Sequence, residues 1–340
     1  MKSQNLAYMP AVDHLRGLAA ILIVFYHGSQ LIGHQLIGNR EVALQRWHVT
    51  DNPFLSFILE GHTAVALFFV LSGFIFTFGN RDRDLSWLPF LKNRILRIAP
   101  LMITLLMLGV AAFPNRFTLS SFLQHLLLQS NTSGAGTFGP LTSMFWTISA
   151  ECQFYLIFPF LLAFTQRYGA RYLLRLIFLV VLLRALAAFT GGNIRDMTYW
   201  SLVGRVDQFL IGMVLGYYYQ PGMLKSWLTR STVMIAGAMT LTMLMFVFHV
   251  SMGGWPSQTR LKLVWPTFEA VAWAFFVFGW LEWSKVLPDI VSRILCGLGT
   301  ISYSIYMLHF AVIHVVAGHQ ITFQLGGPVT TAFATVAVMV

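Results

Sequence analysis

The sequence predicts an all-α, polytopic membrane helix bundle of about ten transmembrane helices. Three observations carry that expectation. Only 10% of the 340 residues are charged while 57% are hydrophobic. Mean hydropathy is +0.69. Apolar runs close to 20 residues long recur from one end to the other. A soluble domain carries about 25% charged residues, so this chain cannot clothe itself in polar surface. A run of about 20 apolar residues crosses a hydrocarbon core, and a helix of that length satisfies its own backbone there.

The expected spans are 14–33, 58–79, 97–113, 144–165, 172–190, 201–219, 231–250, 264–282, 295–316 and 321–340, of which the third and ninth read as interrupted or short. The stretch TLSSFLQHLLLQ, residues 118–129, is too short to span and starts with residues that can cap a helix; it reads as an interfacial amphipathic helix. Residues 1–340 read as a single membrane domain, with no internal repeat and no linker to a fused soluble domain. The polar start, Met1 to Pro10, is too short for a cleavable signal, so the first span is expected to be retained. Cys152 and Cys296 have no CxxC partner, which argues against metal or redox chemistry.

The net charge of +10 needs no nucleic-acid partner. In a membrane protein Lys and Arg collect on cytoplasmic connections. With the N-terminus in the cytoplasm, Arg81, Arg83, Lys92, Arg94, Arg97, Arg167, Arg171 and Arg175 all fall inside. Both termini are then cytoplasmic, and membrane lipids are the expected surroundings. The outer connections hold Arg46, Trp47, His48 and His62, groups able to contact a sugar.

Ionisable residues inside a membrane are costly and mark function by default. Here they are Asp13, Arg16, His27, Glu151, Arg184, Asp207, Glu269, His309 and His314. Arg16 and His27 are separated by roughly 1100° of helical rotation, about 20° from eclipsed, and by roughly 16 Å of rise. One face of the first span thus carries an anion-binding cation at the inner end and a titratable imidazole above it. Asp13 is spaced to pair with Arg16. In LFFVLSGFIFT, Ser72 and Gly73 form a small-residue notch open to a helix or a ligand. In FLKNRILRIAP, Arg94 and Arg97 share a helical face and suit a phosphate-rich ligand. In FWTISAECQFYLIFP, Glu151 lies at a depth close to that of His27, where a carboxylate can orient an imidazole, and Trp146 is placed at the interface. Ser302, Tyr306 and His309 make one polar stripe at helical spacing. Taken singly, helix packing or lipid anchoring also accounts for each of these features.

Together they resemble the integral-membrane acyltransferase-3 family, over about residues 8–340. The resemblance rests on Arg16 and His27 in DHLRGLAAILIVFYH, on LFFVLSGF and RILRIAP, on FWTISAECQFYLIFP, and on GRVDQFLIGMVLG and GTISYSIYMLH, all in order. It implies an enzyme of the bacterial inner membrane. Such enzymes move an acyl group, acetyl before others, from cytoplasmic acyl-CoA to a hydroxyl of a saccharide or lipid-linked glycan on the outer side. The resemblance implies His27 as general base or acyl carrier, with Glu151 orienting it. Arg94, Arg97 and Arg16 would hold the donor's phosphates, and the Ser72–Gly73 notch would pass its pantetheine arm. Asp13, Trp146, Tyr306 and His309 would line the substrate path, and no metal is implied. A flippase or transporter of an anionic glycolipid is the rival from another class, though no inverted repeat supports it. Within the enzyme class, a succinyl or other acyl group and a non-glycan acceptor remain open.

Overall fold

A computed structural model describes residues 8–36, 50–132, 134–319, 321–323 and 328–339. Among them the regular structure is helical. The α-helices are α1 (Pro10–Leu36), α2 (Pro53–Leu59), α3 (Ala64–Asn80), α4 (Trp87–Ala112), α5 (Leu119–Leu126), α6 (Phe145–Tyr168), α7 (Arg171–Phe189), α8 (Ile194–Trp200), α9 (Leu202–Tyr218), α10 (Trp227–Ser251), α11 (Trp265–Trp283), α12 (Asp289–Gly318) and α13 (Pro328–Met339). Seven of these, α1, α3, α4, α6, α7, α10 and α12, are long and apolar enough to cross a membrane. The shorter α9 and α13, with α11, stand outside that set, so the expected ten is not reached on this measure.

Short polar side chains start several helices, each meeting a backbone N–H that no turn precedes. Asn52 accepts from Phe54 N and Leu55 N, with Pro53 set at the first helical position. Asn193, Ser201 and Ser226 cap α8, α9 and α10 in the same way. Thr118 caps α5 by accepting from Ser121 N, and the short amphipathic helix expected there begins one residue later.

The two spans read as interrupted or short are long, continuous helices: α4 has 26 residues and α12 has 30. The charged halves of both dilute the hydropathy signal without breaking the helical period. Pro100 sits inside α4, and Thr104 Oγ1 donates to its carbonyl at 2.8 Å.

The helix α3 lies at the centre, with 83% of its apolar stretch buried; the matching figure for α7 is 17%. The bundle's main seams run between α1 and α12, α3 and α9, and α10 and α11. Side chains such as Phe178, Leu182 and Met239 stand exposed on the outer helices, a surface suited to lipid.

Gly73 of α3 belongs to one of these seams. A Cβ at Gly73 would lie 2.0 Å from Phe209 O, and one at Gly212 would lie 2.1 Å from Val70 O. The notch expected to pass a ligand arm is therefore filled by the α9 backbone at Gly73.

Charges whose partners were unreadable in sequence pair across the bundle. The guanidinium of Arg184 donates to Asp207 at 2.9 and 2.5 Å, and both side chains are fully buried. Thr267 Oγ1 donates to the same carboxylate. Arg205 faces Glu269 at 3.4 Å, and Gln208 Nε2 donates to Glu269 Oε2 at 2.9 Å.

Candidate active site

The helices α1, α3, α4, α6 and α12 line a cavity. Arg16 enters it from α1, Arg94 and Arg97 from α4, Glu151 and Tyr155 from α6, and Ser302 and Tyr306 from α12. The two arginines of α4 are three residues apart, so one helical face delivers both.

Three guanidiniums and one carboxylate line this space. Arg16 is held by Asp13, at 3.5 Å. Among the described residues, neither Arg94 nor Arg97 has a carboxylate within 4.0 Å. The Arg94 guanidinium lies over the Phe76 ring, 4.8 Å from its centroid, and its Nε has no hydrogen-bond partner. The cavity thus holds positive charge with spare donor capacity, which suits a polyanion.

Glu151 takes hydrogen bonds from Ser72 Oγ at 2.8 Å and from the Tyr155 hydroxyl. The orienting contact expected between Glu151 and His27 is not what forms. Depth in the membrane places two groups at one level, but not on facing sides. Tyr155 was missed in the sequence, although it stands four residues after Glu151 on one helix face.

His27 meets His309 instead: His27 Nδ1 and His309 Nε2 are 2.9 Å apart. On its other side His309 Nδ1 lies 2.7 Å from Tyr306 O and 3.2 Å from Ile305 O. Carbonyl oxygens only accept, so His309 carries its proton on Nδ1. Its Nε2 is then a lone pair, and His27 must donate from Nδ1. The lone pair of neutral His27 is thereby placed on Nε2.

Tyr306 connects the two groups of residues. It lines the arginine cavity, lies 2.9 Å from Thr147 Oγ1 through its hydroxyl, and has its ring centroid 5.7 Å from that of His309. Ser302, Tyr306 and His309, one stripe on α12, all face this side of the bundle. Trp146 packs elsewhere, at 4.9 Å from the Tyr199 ring and 4.7 Å from that of Trp200. The His314 ring lies 4.5 Å from that of Phe310, tilted by 55°, and its Nδ1 is 2.9 Å from Phe310 O. Arg46, Trp47 and His48 lie outside the described residues. No group of three His, Cys, Asp or Glu side chains able to hold a metal occurs among the described residues.

Comparison with known proteins now decides the class. The acyltransferase domain of the acyltransferase-3 family matches residues 9–340. The chain belongs to the acyltransferase-3 family. The family's model is an acyltransferase domain, and several helices of this chain have membrane-spanning character. The chain is similar to the O-acetyltransferase OatA of Staphylococcus aureus strain NCTC 8325 / PS 47, at 24% identity over 356 residues, covering 94% of this chain and 53% of the relative. The protein of the same name from strain COL matches to the same extent. The chain therefore spans about half the length of these curated relatives. No solved structure matches it.

Proposed function

We propose that this protein is an O-acyltransferase of the bacterial inner membrane. It moves an acyl group, acetyl before others, from cytoplasmic acyl-CoA to a hydroxyl of a saccharide or lipid-linked glycan. The observation that carries the reading is the joining of two halves through Tyr306: a cavity with unpaired guanidiniums on one side, and the His27–His309 pair on the other. The name printed for the staphylococcal relatives supports O-acetyl transfer.

Arg94 and Arg97 hold the donor's phosphates, with Arg16 beside them. Along α1 the distance from Arg16 to His27 is roughly 16 Å, a span suited to the donor's long, thin arm. His27 Nε2 removes the proton of the acceptor hydroxyl as its oxygen attacks the thioester carbonyl. The new C–O bond forms, the C–S bond breaks, and the thiolate leaves and takes up a proton. The same lone pair serves if His27 itself carries the acyl group.

The test uses purified protein in liposomes with labelled acetyl-CoA. His27→Ala is expected to lose roughly 10²- to 10⁴-fold in turnover, the contribution of a positioned base, while still binding CoA. The Arg94→Ala/Arg97→Ala double variant is expected to weaken CoA binding with an unchanged size-exclusion profile. Label retained on the protein without acceptor marks the acyl-carrier route. Unchanged turnover in folded His27→Ala would overturn the role given to His27. Movement of a glycolipid with no thioester consumed would turn the reading to transport.

A further inference from the structure

A cleft with room for about 250 Å³ lies among α1, α2, α3, α10 and α11. It shares no lining residue with the arginine cavity, and nothing in the reaction described above uses it.

Helical spacing builds its wall. Leu15, Leu18, Ala19 and Leu22 stand at i, i+3, i+4 and i+7 on α1. Their face is centred about 110° around α1 from the stripe of Arg16 and His27. Ala238, Leu241 and Thr242 come from α10 at i, i+3 and i+4. Apart from Thr242 and the Trp273 indole, every lining side chain is aliphatic or a phenyl. Trp273 Nε1 already donates to Thr63 Oγ1 at 2.7 Å.

Water does not suit this space. A buried water needs two to four polar partners. Among the described residues, none that lines the cleft carries a buried polar atom without a partner. Close packing argues for an apolar occupant, since protein interiors hold few voids larger than a water molecule. A dry apolar cavity of about 150 Å³ already takes up benzene.

Exposure shows where such an occupant enters. Leu15, Leu67, Leu241 and Trp273 are buried at the back of the cleft, at 0%, 1%, 3% and 3% exposed. Leu18, Leu22, Ala238 and Thr242 are half-buried. Beside the last two on α10, Met239 and Met243 are 62% and 51% exposed. The cleft is thus continuous with the outer face of α10, a surface suited to lipid. Along α1 it runs from Leu15 to Leu22, roughly 10 Å, a slot shaped for a length of chain. No Lys, Arg, Asp or Glu lines it, so nothing there selects a headgroup.

We propose that this cleft is a binding site for one acyl chain of a bilayer phospholipid. The lipids that cover the outer face of α10 are the molecules that reach its mouth. The chain fills the slot while its headgroup stays at the membrane surface, and it backs α1 beside the Arg16–His27 stripe. The assignment goes beyond the acyltransferase reading and stands without it.

The test is native mass spectrometry of the purified full chain, stripped stepwise with detergent and then offered palmitoyl-oleoyl phosphatidylethanolamine or phosphatidylglycerol. Wild type is expected to keep or regain one phospholipid, of either headgroup, after the rest are lost. Ala238→Phe and Thr242→Phe each place a ring in the slot and are expected to lower that occupancy at least several-fold. Met239→Phe, on the bilayer side of the same helix, should leave it unchanged. The thermal midpoint gives a second readout: added phosphatidylglycerol should raise it in wild type and in Met239→Phe, and not in Ala238→Phe. No phospholipid retained by wild type overturns the site, as does equal occupancy in the two cleft variants. An isoprenoid retained in place of phospholipid overturns the source assigned to the chain. Should neither cleft variant fold, phospholipid with brominated chains decides. It is expected to quench Trp273, read as the part of the fluorescence quenching that Trp273→Phe lacks; no such part overturns the site.

Discussion

His27 and His309 share one proton, and its position is set from outside the pair, by the carbonyls of Ile305 and Tyr306. This makes His309 a positioning residue in the proposed chemistry. His309→Ala is expected to lower kcat by about tenfold or more with the donor KM unchanged, because His27 can then turn its lone pair to the wrong nitrogen. His309→Gln, whose side-chain carbonyl can take the Nδ1 proton, should recover part of the loss. A fall in KM-related binding, or no rescue by Gln, would mark His309 as packing only. The sequence showed both histidines at helical spacing from their polar neighbours. It could not show that they touch, since 282 residues separate them.

Lys262 presents a different titration. Burial pushes its amine down from 10.5 to about 7; Glu60 and Asp196 oppose this, and Arg195 and Arg205 add to it. The folded protein therefore holds this proton less tightly than the unfolded chain. Stability rises with pH wherever the unfolded state binds more protons, which for this group is between about pH 7 and 10. Below that window both states are charged, and the slope from Lys262 vanishes. The melting temperature, followed by tryptophan fluorescence in detergent, is expected to climb from pH 7 to about pH 9. Lys262→Met should flatten that climb; an identical pH slope in the variant would refute the shift. Hydropathy marks this lysine only as a loop cation, because its burial comes from α10 and the loop before α11 folding over it.

Among elements, the seam of α3 and α9 sets the tightest limit. Gly73 and Gly212 let two backbones touch, so Gly73→Ala must push the helices apart. Overpacking of this kind costs about 1–3 kcal/mol. The measurement is the midpoint of thermal unfolding, expected to fall clearly below wild type; an unchanged midpoint would mean the seam opens freely. The motif LFFVLSGF was legible as a small-residue notch, but which helix fills it was not. The same holds for Arg184 and Asp207. Each was visible as a charge in an apolar run, and only the packing of α7 on α9 joins them. Tyr155 was within reach, by its i+4 spacing from Glu151. Glu60, clasped by His62 and His249, was not, because its partners lie on separate elements.

At the scale of the molecule, each of the ten expected segments contains a helix, and seven meet the length and apolarity of a membrane span. Composition suffices for that much, since lipid leaves a chain few ways to bury its backbone. The third and ninth segments, read as interrupted or short, are unbroken in α4 and α12, because charge lowers hydropathy without ending a helix. Clustering of Arg16, Arg94 and Arg97 was readable from their common end of the bundle. The diversion of Glu151 away from His27 was not, because azimuth around the bundle is a property of packing.

Where α1 crosses α12, Gly299 leaves no space at all: a Cβ there would lie 2.1 Å from Asp13 O. The imidazole of His309 stands ten residues farther along, roughly 15 Å up the same helix. The seam behaves as a pivot with a long arm. A tilt of about 4° at the pivot becomes a displacement of about 1 Å at the imidazoles, enough to break a hydrogen bond. Alignment of the two imidazole nitrogens is thus a mechanical property of a glycine at the opposite end of the bundle. A single methyl group added there would act as a wedge under a lever.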